Sequence, residues 1–207
     1  MSNQKVPYIC GALTELDPSH IDEVKDFYSR LGDVCREILG ERGFVPHEHY
    51  DPIKTAEIEN TVVYEAERQI VTQQTTLLIV YAIEPSWGAG IEVGWANEHK
   101  VPIVVLIPKG KKVSRLLTGG RMVQEVLQVF DMKHAELCLK AFLYEFNELT
   151  KSSQAEAEQL KALDDAATAL EDHNHRDDLR AEKIAKEESP NVDDSEDSSA
   201  TTKADPS

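Results

Sequence analysis

The sequence predicts an α/β domain with a doubly wound parallel sheet, and three observations carry that expectation. Apolar runs at residues 6–10, 77–82, 102–107 and 126–130 are short and almost unbroken, the pattern of strands buried on both faces. The long intervening stretches hold apolar residues three and four apart, as amphipathic helices do. Residues 77–107 then give strand, small-residue turn, helix and strand at the spacing of a right-handed βαβ unit. The expected fold is flavodoxin-like over residues 1–150: five parallel strands in the order 2-1-3-4-5, with helices on both faces.

Each element has its local reason. The first strand, residues 6–10, ends at Gly11, and Asp17 or Ser19 is placed to cap the helix that follows. That helix carries Ile21, Val24, Phe27, Tyr28, Leu31, Val34, Ile38 and Leu39 on one stripe and meets stop signals at Gly40 and Gly43. Phe44 and Val45 begin a short second strand that runs into His47-Glu48-His49. Residues 50–60 are polar and read as a loop, and residues 62–74 as a helix. After the third strand comes the turn Pro85-Ser86-Trp87-Gly88-Ala89-Gly90 and a helix from about Gly88 to His99 and Lys100. Beyond the fourth strand lie a basic loop at 109–112, a helical turn at 113–117 before Gly119 and Gly120, and the fifth strand. A last helix over 133–149 places Leu139, Phe142, Leu143 and Phe146 on one stripe. Residues 151–172 read as a helical extension. Residues 173–207 are acidic, Ser-rich and nearly free of large apolar side chains, so they read as a disordered tail that cannot offset its ordering entropy by burial.

Charge and cysteine content bound the function. The net charge is −16, divided between −7 for residues 1–150 (22 acidic, 15 basic) and −9 for residues 151–207 (16 acidic, 7 basic). An acidic body argues against nucleic-acid binding, which draws its affinity from Lys and Arg. Cys10, Cys35 and Cys138 are widely spaced and odd in number, with no metal motif, which suits a reducing compartment. Neither a secretory signal nor an apolar run near the ~20 residues that span a bilayer is apparent. The expectation is a cytoplasmic or nuclear protein without membrane or nucleic-acid partners.

The chemistry concentrates near the carboxyl ends of the strands, where open α/β sheets bind ligands. Glu92 lies one turn inside the helix that follows the third strand, behind Gly88 and Gly90. Such a position favours a carboxylate through the helix dipole. Ser86 and the glycines together make a nest of N–H donors suited to an anion. The spacing of Gly88, Gly90 and Gly94 is not a dinucleotide fingerprint, and Gly94 reads as close helix–sheet packing. His47-Glu48-His49 would offer a metal two ligands on one face of a strand, but no third ligand matches it. Glu65 and Glu67 read from position alone as a solvated helix face, Cys10 as a small buried hydrophobe, and Trp87 and Trp95 as packing or base-stacking groups alike.

Three motifs add a resemblance over about residues 6–150: Tyr8-Ile9-Cys10-Gly11, Val63-Tyr64-Glu65-Ala66-Glu67, and the specific one, Pro85-Ser86-Trp87-Gly88-Ala89-Gly90-Ile91-Glu92-Val93-Gly94-Trp95-Ala96. Through them the chain resembles the nucleoside 2-deoxyribosyltransferase superfamily, most of all its 2'-deoxynucleoside 5'-monophosphate N-glycosidase branch. The resemblance implies that Glu92 acts at C1' of the sugar, that Tyr8 orients it, and that Glu67 assists the leaving base in place of the family's aspartate. It implies that Ser86, Gly88, Gly90 and Gly11 bind substrate. It also implies that Ser114 reaches the phosphate of a neighbouring subunit in a homodimer. Ala12 stands where the family has a phosphate-contacting serine, and the acidic residues Glu15 and Asp17 stand where it has a Gly-rich segment. The implied activity is hydrolysis of the N-glycosidic bond of a nucleoside or deoxynucleoside 5'-monophosphate, with no metal or organic cofactor. Deoxyribosyl transfer between bases and non-catalytic nucleotide sensing are the alternatives. The partner is in each case a small nucleotide or nucleoside.

Overall fold

The computed structural model describes residues 5–187 of the chain. The chain divides into two compact units, residues 1–152 and residues 153–207. In the first unit, four strands, β1 (Val6–Gly11), β2 (Thr75–Tyr81), β3 (Ile103–Pro108) and β4 (Val123–Val129), form one sheet in the order β1-β2-β3-β4. All three pairings are parallel, with Tyr8 opposite Leu78, Val80 opposite Val105 and Leu106 opposite Leu127. The helices are α1 (Ile21–Leu39), α2 (Asn60–Gln69), α3 (Trp87–Glu98), α4 (Arg115–Thr118) and α5 (Met132–Glu187).

The second expected strand is reduced to one residue. Phe44 forms an isolated parallel bridge with Tyr8, through its N–H to the Pro7 carbonyl (2.7 Å) and the Ile9 N–H to its own carbonyl (2.9 Å). Pro46, two residues on, has no N–H to continue a ladder and starts a 3-10 turn, Pro46–Glu48. His47 and Glu48 therefore sit on a turn and not on a strand face, which removes the geometric premise of a two-histidine metal site. Among the described residues no cluster of three or more His, Cys, Asp or Glu side chains is arranged to hold a metal ion, and no helix is long and apolar enough to cross a membrane.

Side-chain alternation on the strands builds two cores, one on each face. Ile9, Leu77, Ile79, Val104 and Leu106 pack with Phe27 and Leu31 of α1 and Leu139 and Leu143 of α5. Tyr8, Cys10, Leu78, Val80, Ile103 and Val105 point the other way, toward Val93 and Ala96 of α3 and Val71. Glu92 of α3 meets Tyr8 on that second face.

Several helix ends are closed by the residues the sequence offers. Gly40 closes α1 at φ 84°, its N–H bonded to the Arg36 carbonyl, a left-handed cap that glycine adopts without strain. Ser86 caps α3, its side chain accepting from the Ala89 N–H. The Asp131 side chain accepts from the His134 N–H at the start of α5. The cap expected of Asp17 or Ser19 on α1 is not made: Asp17 bonds the Ser19 N–H and hydroxyl instead (2.9 and 2.7 Å), so it shapes the preceding turn. The helix expected over 62–74 begins earlier, at Asn60, and ends in a π-helical turn, Ile70–Gln74, that delivers the chain into β2. In the second unit, the described chain is helical as far as Glu187, past His173, the expected start of the tail. The rest of that expected tail, residues 188–207, lies outside the described residues.

Candidate active site

Tyr8 and Glu92 meet although 84 positions separate them, because the inward side chain of β1 faces the first turns of α3. The Tyr8 hydroxyl donates to Glu92 Oε1 at 2.5 Å, inside the protein. Tyr8 is fully buried and Glu92 is 7% exposed. The tyrosine ring is held from behind: Phe44 stacks on it (5.4 Å, 27°) and His49 stacks on Phe44 (4.6 Å, 6°). Burial pushes the Glu92 carboxyl pKa up, against the opposing pull of the Cys10 and Tyr8 donors. Burial also pushes the Tyr8 hydroxyl well above its ordinary value, with the Glu92 charge adding to it. The phenol is therefore a donor at neutral pH.

Glu92 opens onto a cavity of about 210 Å³, whose wall includes Glu67, Gly11, Ser86, Gly88 and His47. Glu67, from the last turns of α2, is partly buried and is not a solvated surface acid. Burial first, and then the Glu92 charge, push its pKa up to about 7. Burial raises both carboxyls, and they share one cavity; two coupled carboxyls on one cavity can divide into an acid and a carboxylate.

The glycines of α3 divide two ways. Gly88 borders the small cavity, whereas Gly90 and Ser114 border a larger one, about 960 Å³, which shares Gly11 and Ser86 with it. The Gly90 N–H is bonded to the Ser86 carbonyl (3.1 Å) and the Ala89 N–H to Ser86 Oγ (3.3 Å). The Trp87 and Gly88 N–H groups remain as the open donors of the helix terminus among the described residues. Ser114 caps α4, accepting from the Leu116 N–H. Close packing does not explain Gly94: a Cβ there would meet nothing within 4 Å, and the same holds at Gly90. Gly11 is the opposite case, since a Cβ there would sit 2.2 Å from the Tyr28 hydroxyl, which donates to the Ala12 carbonyl.

Of the remaining aromatic residues, Trp95 packs edge-on against Tyr64 (5.0 Å, 78°), while Trp87 is 88% exposed on the larger cavity. Cys10 is a buried thiol beside the Ala89 carbonyl. Sequence reasoning did not anticipate Tyr28, Tyr50, Pro52 and Thr14 on the wall of the small cavity. The loop bearing Tyr50 and Pro52 is tied down by Asp51, which accepts from the buried Lys25 ammonium (2.7 Å) and from the Ile53 and Lys54 N–H groups. No local pattern announces that tie, because Lys25 belongs to α1.

No protein-family model matches the sequence, and no curated protein matches it. Among solved structures the chain is similar to BcmB, a CMP N-glycosidase of Clostridium botulinum. The two are 16% identical, with a TM-score of 0.49 over 65% of this chain and 98% of that one.

Proposed function

We propose that the chain hydrolyses the N-glycosidic bond of a nucleoside or deoxynucleoside 5'-monophosphate, releasing free base and sugar phosphate. The observation that carries this reading is the buried Tyr8–Glu92 hydrogen bond on a cavity shared with a second carboxyl, Glu67, whose pKa lies near 7. Breaking a C1'–N bond builds positive charge at C1' and negative charge on the departing base, which calls for a carboxylate on one side and an acid on the other.

In this reading Glu92 captures C1' as the C1'–N bond breaks, and Glu67 gives its proton to the base nitrogen. Water then attacks C1', its proton goes to Glu67, and the bond to Glu92 is released, so that the enzyme returns to its starting state. Tyr8 keeps the Glu92 carboxylate aimed and partly neutralised, which steadies it as a leaving group in the second step. The open Trp87 and Gly88 N–H groups, at the positive end of the twelve-residue helix α3, are the donors for the phosphate. Ser86 sets that turn, and Gly11 lines the cavity beside it.

The larger cavity enters through a second copy of the chain. Gly90 and Gly94 leave an α3 face open, flanked by the exposed side chains Trp87 and Leu116. A homodimer packed through that face would bring Ser114 to the partner's phosphate. The reaction is proposed to need neither metal nor organic cofactor and to take place in the cytoplasm or nucleus.

A chromatographic screen for base release from ribo- and deoxyribonucleosides and their monophosphates, run beside Glu92→Ala, tests the reading. Monophosphates should be cleaved, and the variant should be slower by at least ~10²-fold. Intact substrates throughout, or a variant as fast as the parent, would refute hydrolysis. Reaction of nucleosides alone, accelerated by an added base, would make the chain a transferase.

A further inference from the structure

We propose that His47 reads the base: its neutral ring donates an Nε2–H hydrogen bond to an acceptor atom of a nucleobase lying in the 210 Å³ cavity. The proposal rests on the nucleotide reading above. It starts from an anomaly. His47 Nδ1 is buried and has no hydrogen-bond partner, the one such side-chain atom among the described residues. Buried polar atoms are nearly always paired, and an orphan needs a reason. A large apolar side chain at this place would fill the space without the penalty, so packing alone does not account for an imidazole.

The orphan decides the tautomer. A neutral imidazole has one N–H and one bare nitrogen, and an enclosed N–H without a partner is the costlier of the two to leave unmet. The proton therefore resides on Nε2. That nitrogen makes no hydrogen bond among the described residues and is not enclosed as Nδ1 is, while the residue lines the cavity that contains Glu67 and Glu92. It is a free donor on the wall of the candidate active site.

The ring is also kept uncharged and in place. Burial pushes its pKa down, and Lys25 and Lys54 push the same way, while Glu48 and Asp51 oppose them. Both acids are already committed: Glu48 to Arg42 through two short bonds (2.6 and 2.7 Å) and to Ser29, and Asp51 to Lys25. The Arg42–Glu48 fork and the fully buried Val45 fix the 3-10 turn on either side of the ring. In the proposed reaction Glu67, whose pKa is raised to about 7, is the proton donor. His47 is thus left as a positioned donor, which pairs only where the bound base turns an acceptor atom toward Nε2. Sites built to make a hydrogen bond reject ligands that lack the partner far more strongly than apolar pockets reject size changes.

The test is 15N NMR of the histidine rings in the full chain, titrated with free adenine, guanine, cytosine and thymine, and repeated by equilibrium binding with His47→Leu and His47→Gln. The expected spectrum shows a neutral Nε2–H tautomer at pH 7 whose Nε2 signal moves with at least one base. His47→Leu should weaken that base about five- to tenfold. His47→Gln, which keeps an N–H near the same point, should weaken it less than threefold, a rescue that a purely structural role would not give. A protonated Nδ1, an Nε2 signal that no base moves, or equal losses in the two variants would overturn the proposal. Base release with a silent Nε2 would sink this role alone. An Nε2 response without base release would sink the hydrolysis reading and leave this one standing.

Discussion

Glu67→Gln separates the electrostatics of the site from its packing. In the folded chain the Glu67 carboxyl titrates at about 7, against an ordinary value of 4.5. Between those values the folded state keeps a proton that the unfolded state has lost. A group with a raised folded pKa contributes stability that is fully present below 4.5 and is lost as pH rises through 7, with no further loss above. At 1.36 kcal/mol per pH unit that displacement is worth about 3 kcal/mol, and the remaining exposure of Glu67 brings the expected effect down to about 2 kcal/mol. Glutamine keeps the shape and cannot ionise. The variant should therefore match the parent near pH 4.5 and exceed it by about 2 kcal/mol at pH 8, in urea unfolding followed at several pH values. A residual slope from Glu92 should persist, because burial raises that carboxyl too. The same variant should lose base release, since it removes the acid. Parallel stability curves for parent and variant from pH 4.5 to 8 would refute the raised pKa, and with it the assignment of Glu67 as the proton donor at neutral pH.

Further outcomes follow from the Tyr8 hydrogen bond and from the packing at two glycines, and one from the tail. Tyr8→Phe removes the donor to Glu92 and leaves the ring stack with Phe44; it should cost about 1.5–3 kcal/mol in urea unfolding, the range for a hydrogen bond to a charged group, and slow base release at least tenfold. Gly11→Ala, which drives a Cβ into the Tyr28 hydroxyl, should destabilise by about 1–3 kcal/mol. Gly94→Ala meets open space and should gain up to ~1 kcal/mol from helix propensity, while Gly94→Leu should dissociate a dimer in sedimentation if the second copy packs on that face. Truncation after Leu170 should leave cooperative unfolding and base release nearly unchanged, because the acidic segment removed holds few apolar side chains to bury.

Periodicity and local chemistry in the sequence determined the parallel α/β sheet and its βαβ core, and placed Glu92 one turn inside a glycine-started helix. These are short-range facts: alternation, caps and turn residues act over a few positions, and they are legible wherever the chain obeys them. The motif resemblance added Tyr8 and Glu67, which position alone left as a strand residue and a surface acid. What only the tertiary structure decided is what each side chain faces. Tyr8 reaches Glu92 because β1 alternation turns it toward α3. Glu67 is lifted toward neutrality by burial that its helix pattern did not show. Phe44 stops at one bridge because Pro46 ends the ladder, and His47 consequently arrives at the cavity from a turn. Gly94 stands open against the expectation of close packing, and Gly11 is held tight by the Tyr28 hydroxyl. Burial, desolvation and close approach are sums over residues far apart in the chain, so no window of sequence contains them.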